Sequence, residues 1–343
     1  MTDLAEKVKI SERKRGKLVT LSTLTEGDAE GFDGTKLYYR SFGRGDPAIV
    51  CCNGLGVGTF FWVHLERAFH ALHQVVTWDY RGHGHSALKK NPKNYNLNAL
   101  VKDMKAVVDH LGIERPILIG HSLGVQVILE FYRRWPERVG GIILCFGTYG
   151  RPMDHFYNTR LSRYLFKICY EVALAFPRES TLIGRLVLQN PLSFFLGGVL
   201  KVMHTGMINK KDTDRYIEHI LSVDPIFFQM LLKSAQEHSA EDVLRTIKVP
   251  TLIIAGELDQ FTPLWISKKM HRLIPESELF IVHKATHAGL VEQPDLINLK
   301  IEKFLQDRAR PFVRKLKHAG KGKPVSFKKA KPDGKNTRLR LVS

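Results

Sequence analysis

Cysteine is scarce in this chain, acidic residues are in the minority, and long apolar runs are missing. Of the four cysteines in 343 residues, Cys51 and Cys52 are neighbours in one extended apolar run. They therefore point to opposite faces of a strand and cannot easily bridge each other. Cys145 lies in a second such run. That excludes a disulfide framework and leaves reduced, structural thiols, the expectation for a cytoplasmic protein. No Cys or His pair with ligand spacing stands near a second pair, so no metal site is expected; His283 and His287 are four apart but in a strand-to-loop context. No apolar run reaches the roughly eighteen residues that a membrane span needs. The opening Met1 to Lys9 scatters charges where a signal peptide would have its apolar core. No internal repeat is visible. With 44% hydrophobic and 25% charged residues, the chain reads as globular and large enough for a sizeable core.

Against these absences stands one dense stretch, Ile117-Leu118-Ile119-Gly120-His121-Ser122-Leu123-Gly124. A short β-branched run passes into Gly-x-Ser-x-Gly, and Val125 to Tyr132 continues at helical spacing. Strand, sharp turn and helix with a serine at the turn is the pattern of an exposed nucleophile, with glycines where backbones must approach closely. The Leu123 amide, at the positive end of the new helix, is the first candidate for binding a developing oxyanion. A serine hydroxyl needs a base and an acid, in that chain order downstream. The apolar run Val249 to Gly256 leads into the loop Glu257-Leu258-Asp259-Gln260-Phe261, and Leu279 to Val282 leads into His283-Lys284-Ala285-Thr286-His287. Nucleophile, carboxylate and imidazole each follow a strand, at the end where open α/β sheets carry their sites.

From about Phe32 to Leu305 the chain resembles the α/β-hydrolase superfamily, in its serine-nucleophile, capped, esterase- or lipase-like branch. Phe32 to Tyr39 is similar to the early hairpin, with Asp33-Gly34 as the turn. Ile49 to Gly56 resembles the strand and loop that supply a second oxyanion amide, here that of Leu55. Asp79-Tyr80-Arg81-Gly82-His83-Gly84-His85-Ser86 is similar to the Asp-x-Arg-Gly-x-Gly-x-Ser turn, and Tyr95 to Gly112 to the helix before the nucleophile strand. The family pattern Gly-x-x-Asp, counted from Gly256, selects Asp259 over Glu257 as the acid. Two departures stand out: Asn53-Gly54 replaces the usual His-Gly, and Val125 replaces a second glycine after the elbow.

The resemblance implies an α/β fold with a mostly parallel, doubly wound eight-stranded sheet and an inserted helical cap. The expected organisation is a basic extension over 1–20, a core over 21–148 and 244–307, a cap over 149–243 and a disordered basic tail over 308–343. Three blocks in the cap carry the apolar residues: Tyr164 to Phe176, Leu192 to Met203 and Ile226 to Leu232. Part of that surface, with Asn53, Phe60, Phe61, Trp62 and His121, is expected to line an apolar substrate pocket. The net charge of +18 concentrates at the end: from Arg308 onward thirteen Lys or Arg face only Asp333. Such a tail suits contact with an anionic membrane surface or nucleic acid, or simple solvation. The expected activity is a serine hydrolase acting on a carboxylic ester or thioester of an apolar acyl group through Ser122, His287 and Asp259, with no cofactor. The same residues also suit carbon–carbon bond hydrolysis, acyl transfer or peracid formation. A ligand-binding, receptor-like protein on the same scaffold is the reading from another class. The expected location is cytoplasmic, peripheral to a membrane at most.

Overall fold

The computed structural model describes residues 24–159, 161–190, 203–208 and 210–320. Eight strands form one sheet: β1 (Leu24–Glu30), β2 (Lys36–Phe42), β3 (Ile49–Cys52), β4 (Val75–Trp78), β5 (Ile117–His121), β6 (Gly141–Cys145), β7 (Thr251–Gly256) and β8 (Glu278–Val282). Their spatial order is β1-β2-β4-β3-β5-β6-β7-β8. β2 runs antiparallel to β1 and to β4, and the remaining pairs are parallel. β3 to β7 are buried at every position, as strands covered on both faces must be.

The longer helices are α1 (Val63–Phe69), α2 (Leu97–His110), α3 (Leu123–Arg134), α4 (Leu161–Ala175), α5 (Pro177–Leu188), α6 (Lys210–Ser222), α7 (Pro225–Glu237), α8 (Leu264–Leu273), α9 (Pro294–Phe304) and α10 (Arg310–Gly320). They divide the core in two. On one face Ile49, Cys51, Ile117 and Ile119 pack with α1 and α9. On the other, Val50, Cys52 and Leu118 pack with α2, α3 and α8. The adjacent cysteines thus fall in different cores, and all four thiols are free. The sheet is doubly wound, with α/β-hydrolase strand order.

The Asp33-Gly34 turn forms as its residues dictate: Gly34 has φ +74 and the Asp33 carboxylate accepts from the Thr35 hydroxyl at 2.6 Å. Arg81, almost wholly buried, donates to Asp103 of α2 at 2.6 and 2.7 Å and to Asp33 at 3.0 Å. The loop after β4 is thereby fastened to the hairpin and to α2. Asp79 accepts from the Thr59 amide at 2.8 Å, which ties the same loop to the segment after β3.

Between β6 and β7 the chain leaves the core and returns beside its exit. Gly150 bridges Ser239, and the Ala240 amide donates to the Tyr149 carbonyl at 2.8 Å. The intervening helices form the cap. α7 starts where Asp224 accepts from the Phe227 amide at 2.8 Å and Pro225 opens the first turn. It buries Phe227 and Leu231 on the core, and Phe227 meets the Tyr95 ring edge-on at 5.0 Å. Of the second apolar block, Leu192 to Val202 lies outside the described residues, as does the 1–20 extension.

The tail boundary at 308 requires correction. After α9, a five-residue π turn (Leu305–Ala309) leads directly into α10, and Leu305, Ala309 and Val313 are buried. The Val313 side chain covers Gly140, and Arg310 donates to His73 at 2.7 Å. The spacing of Leu305, Ala309 and Val313 makes a narrow apolar stripe, which the surrounding cations conceal in a count of composition. Residues 321–343 lie outside the described residues.

Candidate active site

Three strand ends meet at one point. Ser122 follows β5 and stands at the head of α3 with φ 54 and ψ −114, a conformation that costs a non-glycine residue about 1–3 kcal/mol. The two flanking glycines make it affordable sterically. A Cβ on Gly120 would come within 2.6 Å of the Gly124 carbonyl, and one on Gly124 within 2.1 Å of the Cys52 carbonyl oxygen.

The loops after β7 and β8 lie against each other: the Glu257 amide donates to the Val282 carbonyl at 3.1 Å and the Leu258 amide to that of Ala285 at 2.9 Å. This brings His287 between Ser122 and Asp259. His287 Nε2 is 2.9 Å from Ser122 Oγ, and its Nδ1 is 3.0 Å from Asp259 Oδ2. Asp259 is buried, and its carboxylate is fully occupied. Oδ1 accepts from the amides of Phe261 and Thr262 at 2.8 and 2.9 Å, and Oδ2 also accepts from the Thr262 hydroxyl at 2.8 Å. With the carboxylate as acceptor, Nδ1 carries the imidazole proton and Nε2 is free to accept from the serine. Glu257 points elsewhere, to the Lys284 amide at 3.0 Å and to His283 at 2.6 Å. The amides of Leu55 and Leu123 make no hydrogen bond among the described residues, so both remain available beside Ser122.

Two expected pocket residues do other work. Asn53 is completely buried; its Nδ2 donates to the Trp78 carbonyl at 2.7 Å and its Oδ1 accepts from Trp62 Nε1 at 2.6 Å. It shapes the loop that carries Leu55, and Trp62 is committed to the same bond inside the core. His121 is also buried, and its Nε2 donates to the His287 carbonyl at 3.0 Å. Burial, reinforced by the neighbouring His287, pushes its pKa down to about 3, so it stays neutral and braces the His287 loop. Phe61 packs on it at 4.7 Å between ring centroids. Phe60 packs instead on α6, 5.1 Å from the His219 ring and 4.8 Å from the Arg215 guanidinium. There it lines a cavity of about 280 Å³ that no member of the Ser122–His287–Asp259 group borders.

Other residues at the site carry no local signal in the sequence. The Phe261 ring lies 4.9 Å from His287, and Phe156, where the chain enters the cap, lies 4.7 Å from Phe261. Buried Glu292 accepts from the Thr286 amide at 2.8 Å and from the His204 amide of the cap at 2.7 Å. One carboxylate thus ties the cap to the residue before His287. Only the mutual approach of distant loops creates these contacts.

A model of the alpha/beta hydrolase family matches residues 49–298, and the chain belongs to that family. It is similar to a putative carbamate hydrolase, RutD, of a Caulobacter species, with 25% identity over 272 residues that cover 78% of this chain and 95% of the relative. It is also similar to the 2-hydroxy-6-oxononadienedioate/2-hydroxy-6-oxononatrienedioate hydrolase of Burkholderia vietnamiensis, 26% identical over 282 residues, 80% of this chain and 93% of that one. Among solved structures, a thermophilic esterase from Thermogutta terrifontis superposes with a TM-score of 0.66 at 20% identity, covering 82% of this chain and 98% of its own. An enol-lactonase from Burkholderia xenovorans does so with a TM-score of 0.66 at 21% identity, covering 82% and 100%. These structural likenesses speak for the fold.

Proposed function

We propose that this protein hydrolyses a carboxylic ester or thioester of an apolar acyl group through an acyl-enzyme at Ser122. The observation that carries the reading is the unbroken line of two hydrogen bonds from Ser122 Oγ through His287 to Asp259. His287 takes the hydroxyl proton as Oγ attacks the carbonyl carbon. The carbonyl π electrons move to oxygen, where the Leu55 and Leu123 amides bind the anion; one such donor is typically worth about 3 kcal/mol. As the carbonyl re-forms, the leaving group departs with the proton from His287. Water then repeats the sequence on the acyl-enzyme. Asp259 keeps the imidazole in the working tautomer and stabilises its charged form.

The surroundings favour a neutral, apolar acyl group. The rings next to His287 and His121 belong to Phe261, Phe156 and Phe61. Among the described residues no Lys or Arg bonds to the three polar residues or lies over those rings. The name of the Burkholderia relative denotes a dicarboxylate. Carbon–carbon hydrolysis of such a substrate would call for a cation placed to meet its carboxylates. That reaction remains the second reading, because relatives with that name share this much sequence.

The test is turnover of p-nitrophenyl esters of increasing chain length, with labelling by a fluorophosphonate. Wild type should hydrolyse them and be labelled at Ser122, while Ser122→Ala should do neither and keep its melting temperature. Labelling at another residue, or full turnover by the variant, overturns the proposal. Turnover of dienoic keto acids but not of any ester selects the second reading.

A further inference from the structure

The loop that carries the Leu55 amide is held from two sides by histidines that take no part in the proton transfer. Gly54 to Val57 form a turn, the Val57 amide donating to the Gly54 carbonyl at 3.4 Å. Gly56, the third residue of the turn, has φ +72, the value that a type II turn asks of that position and glycine supplies. From the core side, His83 Nε2 accepts from the Gly56 amide at 3.1 Å, while its Nδ1 donates to the Arg81 carbonyl at 3.2 Å. From the cap side, His219 Nδ1 of α6 donates to the Gly56 carbonyl at 3.0 Å. Ile220 of α6 presses on the same residue: a Cβ on Gly56 would lie 2.8 Å from its side chain. Burial lowers the pKa of both histidines, to about 4 for His83, so each is the neutral ring that these bonds require. Packing alone does not account for His219. With the proton on Nδ1, its Nε2 is a buried acceptor without a partner among the described residues, a penalty that an apolar side chain would avoid.

We propose that His83 and His219 are positioning residues for the reaction at Ser122, clamping Gly56 so that the preceding Leu55 amide stays aimed at the oxyanion. This role rests on the reading of Ser122 as the nucleophile. It holds for ester and for carbon–carbon hydrolysis alike, since both place negative charge on a carbonyl oxygen. The peptide between Leu55 and Gly56 is the centre of the turn. Type I and type II turns differ in the orientation of that peptide, and the bond to His83 selects one of them. The bond from His219 holds the peptide that follows. Oxyanion donors act by being oriented before the charge develops. Freedom in this loop therefore costs binding of the transition state and leaves binding of the substrate nearly untouched. Neither histidine meets a reacting atom. His219 belongs to the cap, so the cap reaches the chemistry through Gly56.

Variants of the full chain that keep or remove single hydrogen bonds test this on the ester, or the dienoic keto acid, that wild type turns over. His219→Leu and His83→Leu should each lower kcat by about tenfold to a hundredfold while KM changes by less than about threefold. An aliphatic trifluoromethyl ketone adds to Ser122 Oγ and places its oxygen in the oxyanion site, so its affinity should fall by the same factor. Rescue depends on where an amide places its polar atoms. The Asn nitrogen matches Nδ1 of His219, and the Gln oxygen matches Nε2 of His83. His219→Asn and His83→Gln should therefore recover most of kcat, whereas His219→Gln and His83→Asn should not. A merely structural role would follow the melting temperature instead of this pattern. Hydrogen exchange of Gly54 to Val57 needs no turnover and should quicken in both leucine variants. Should His83→Leu fail to fold, the three His219 variants decide. Wild-type kcat in His219→Leu, rescue by either amide alike, or unchanged exchange overturns the proposal. A wild type inert toward every substrate overturns the reading of Ser122, and the oxyanion role with it, whatever the exchange shows.

Discussion

Core and cap spend their apolar residues differently. β3, β5, β6 and β7 bury every side chain between two helical layers. α4 buries only Ala173, and α5 buries none. A sheet with helices on both faces provides a partner for each strand position, whereas a short helical insertion has one inner surface and little volume behind it. Rigidity follows from this difference. The polar residues at the candidate site all emerge from the core, where backbone ladders set their spacing to within a hydrogen bond. The cap contributes contacts at the rim, such as Phe156 on Phe261 and the His204 amide on Glu292.

If chemistry belongs to the core alone, the largest effects must come from its loops. Asp259→Asn should lower kcat by about ten-thousandfold, because an amide donates where His287 requires an acceptor and disturbs the imidazole tautomer. Glu257→Gln should change kcat by less than about tenfold, since that carboxylate meets Lys284 and His283. Steady-state kinetics on one soluble ester decide between them, and the opposite ranking would move the acid to Glu257.

Much of this contrast was legible in the residues themselves. Continuous apolar runs such as Ile117 to Ile119 announce parallel strands, and the three polar candidates each follow one. The uses of Asn53 and His121 were not legible, because a side chain beside a nucleophile can face the pocket or the scaffold equally well. Only the positions of Trp62, Trp78 and His287 decide. Glu292 is invisible for the same reason, its partners Thr286 and His204 being joined by folding alone. From the π turn into α10 a dense run of cations masks the buried Leu305, Ala309 and Val313, so average composition misleads where spacing would not.

The next effect concerns the seam between the two regions. Phe227 is wholly buried where α7 meets the core, and Phe227→Ala should cost about 3–5 kcal/mol. Ile168→Ala, on the exposed side of α4, should stay within about 0.5 kcal/mol. Urea denaturation of the two variants tests the contrast, and comparable losses would show that α4 is covered in solution.

Acid should loosen the same seam. His83 accepts from the Gly56 amide at 3.1 Å, donates to the Arg81 carbonyl at 3.2 Å and packs on Phe227 at 5.8 Å, with His219 of the cap 6.1 Å away. Burial pushes its pKa from 6.5 down to about 4. Between those values the unfolded chain binds a proton that the folded chain refuses, so the contribution of His83 to stability is fully present above pH 6.5 and is lost as pH falls toward 4. His121, held at about 3, adds to the same decline. Melting temperatures from pH 7.5 to 4.5 should fall in wild type and fall less steeply in His83→Gln. Parallel curves would remove His83 from the effect.

The smallest effects separate charge from packing in α10. Lys317 reaches Asp46 at 2.6 Å, but both side chains are largely in water. Such a pair contributes roughly 0–1 kcal/mol, so Lys317→Ala should barely move the urea midpoint. Val313 is buried against Gly140, and Val313→Ala removes two methylene equivalents from the core, about 1.5 kcal/mol. The difference is modest but has a definite sign: the uncharged residue must matter more than the charged one. Should Lys317→Ala prove the more damaging, α10 would be held by its cations. The apolar stripe that extends the core past Arg308 would then be incidental.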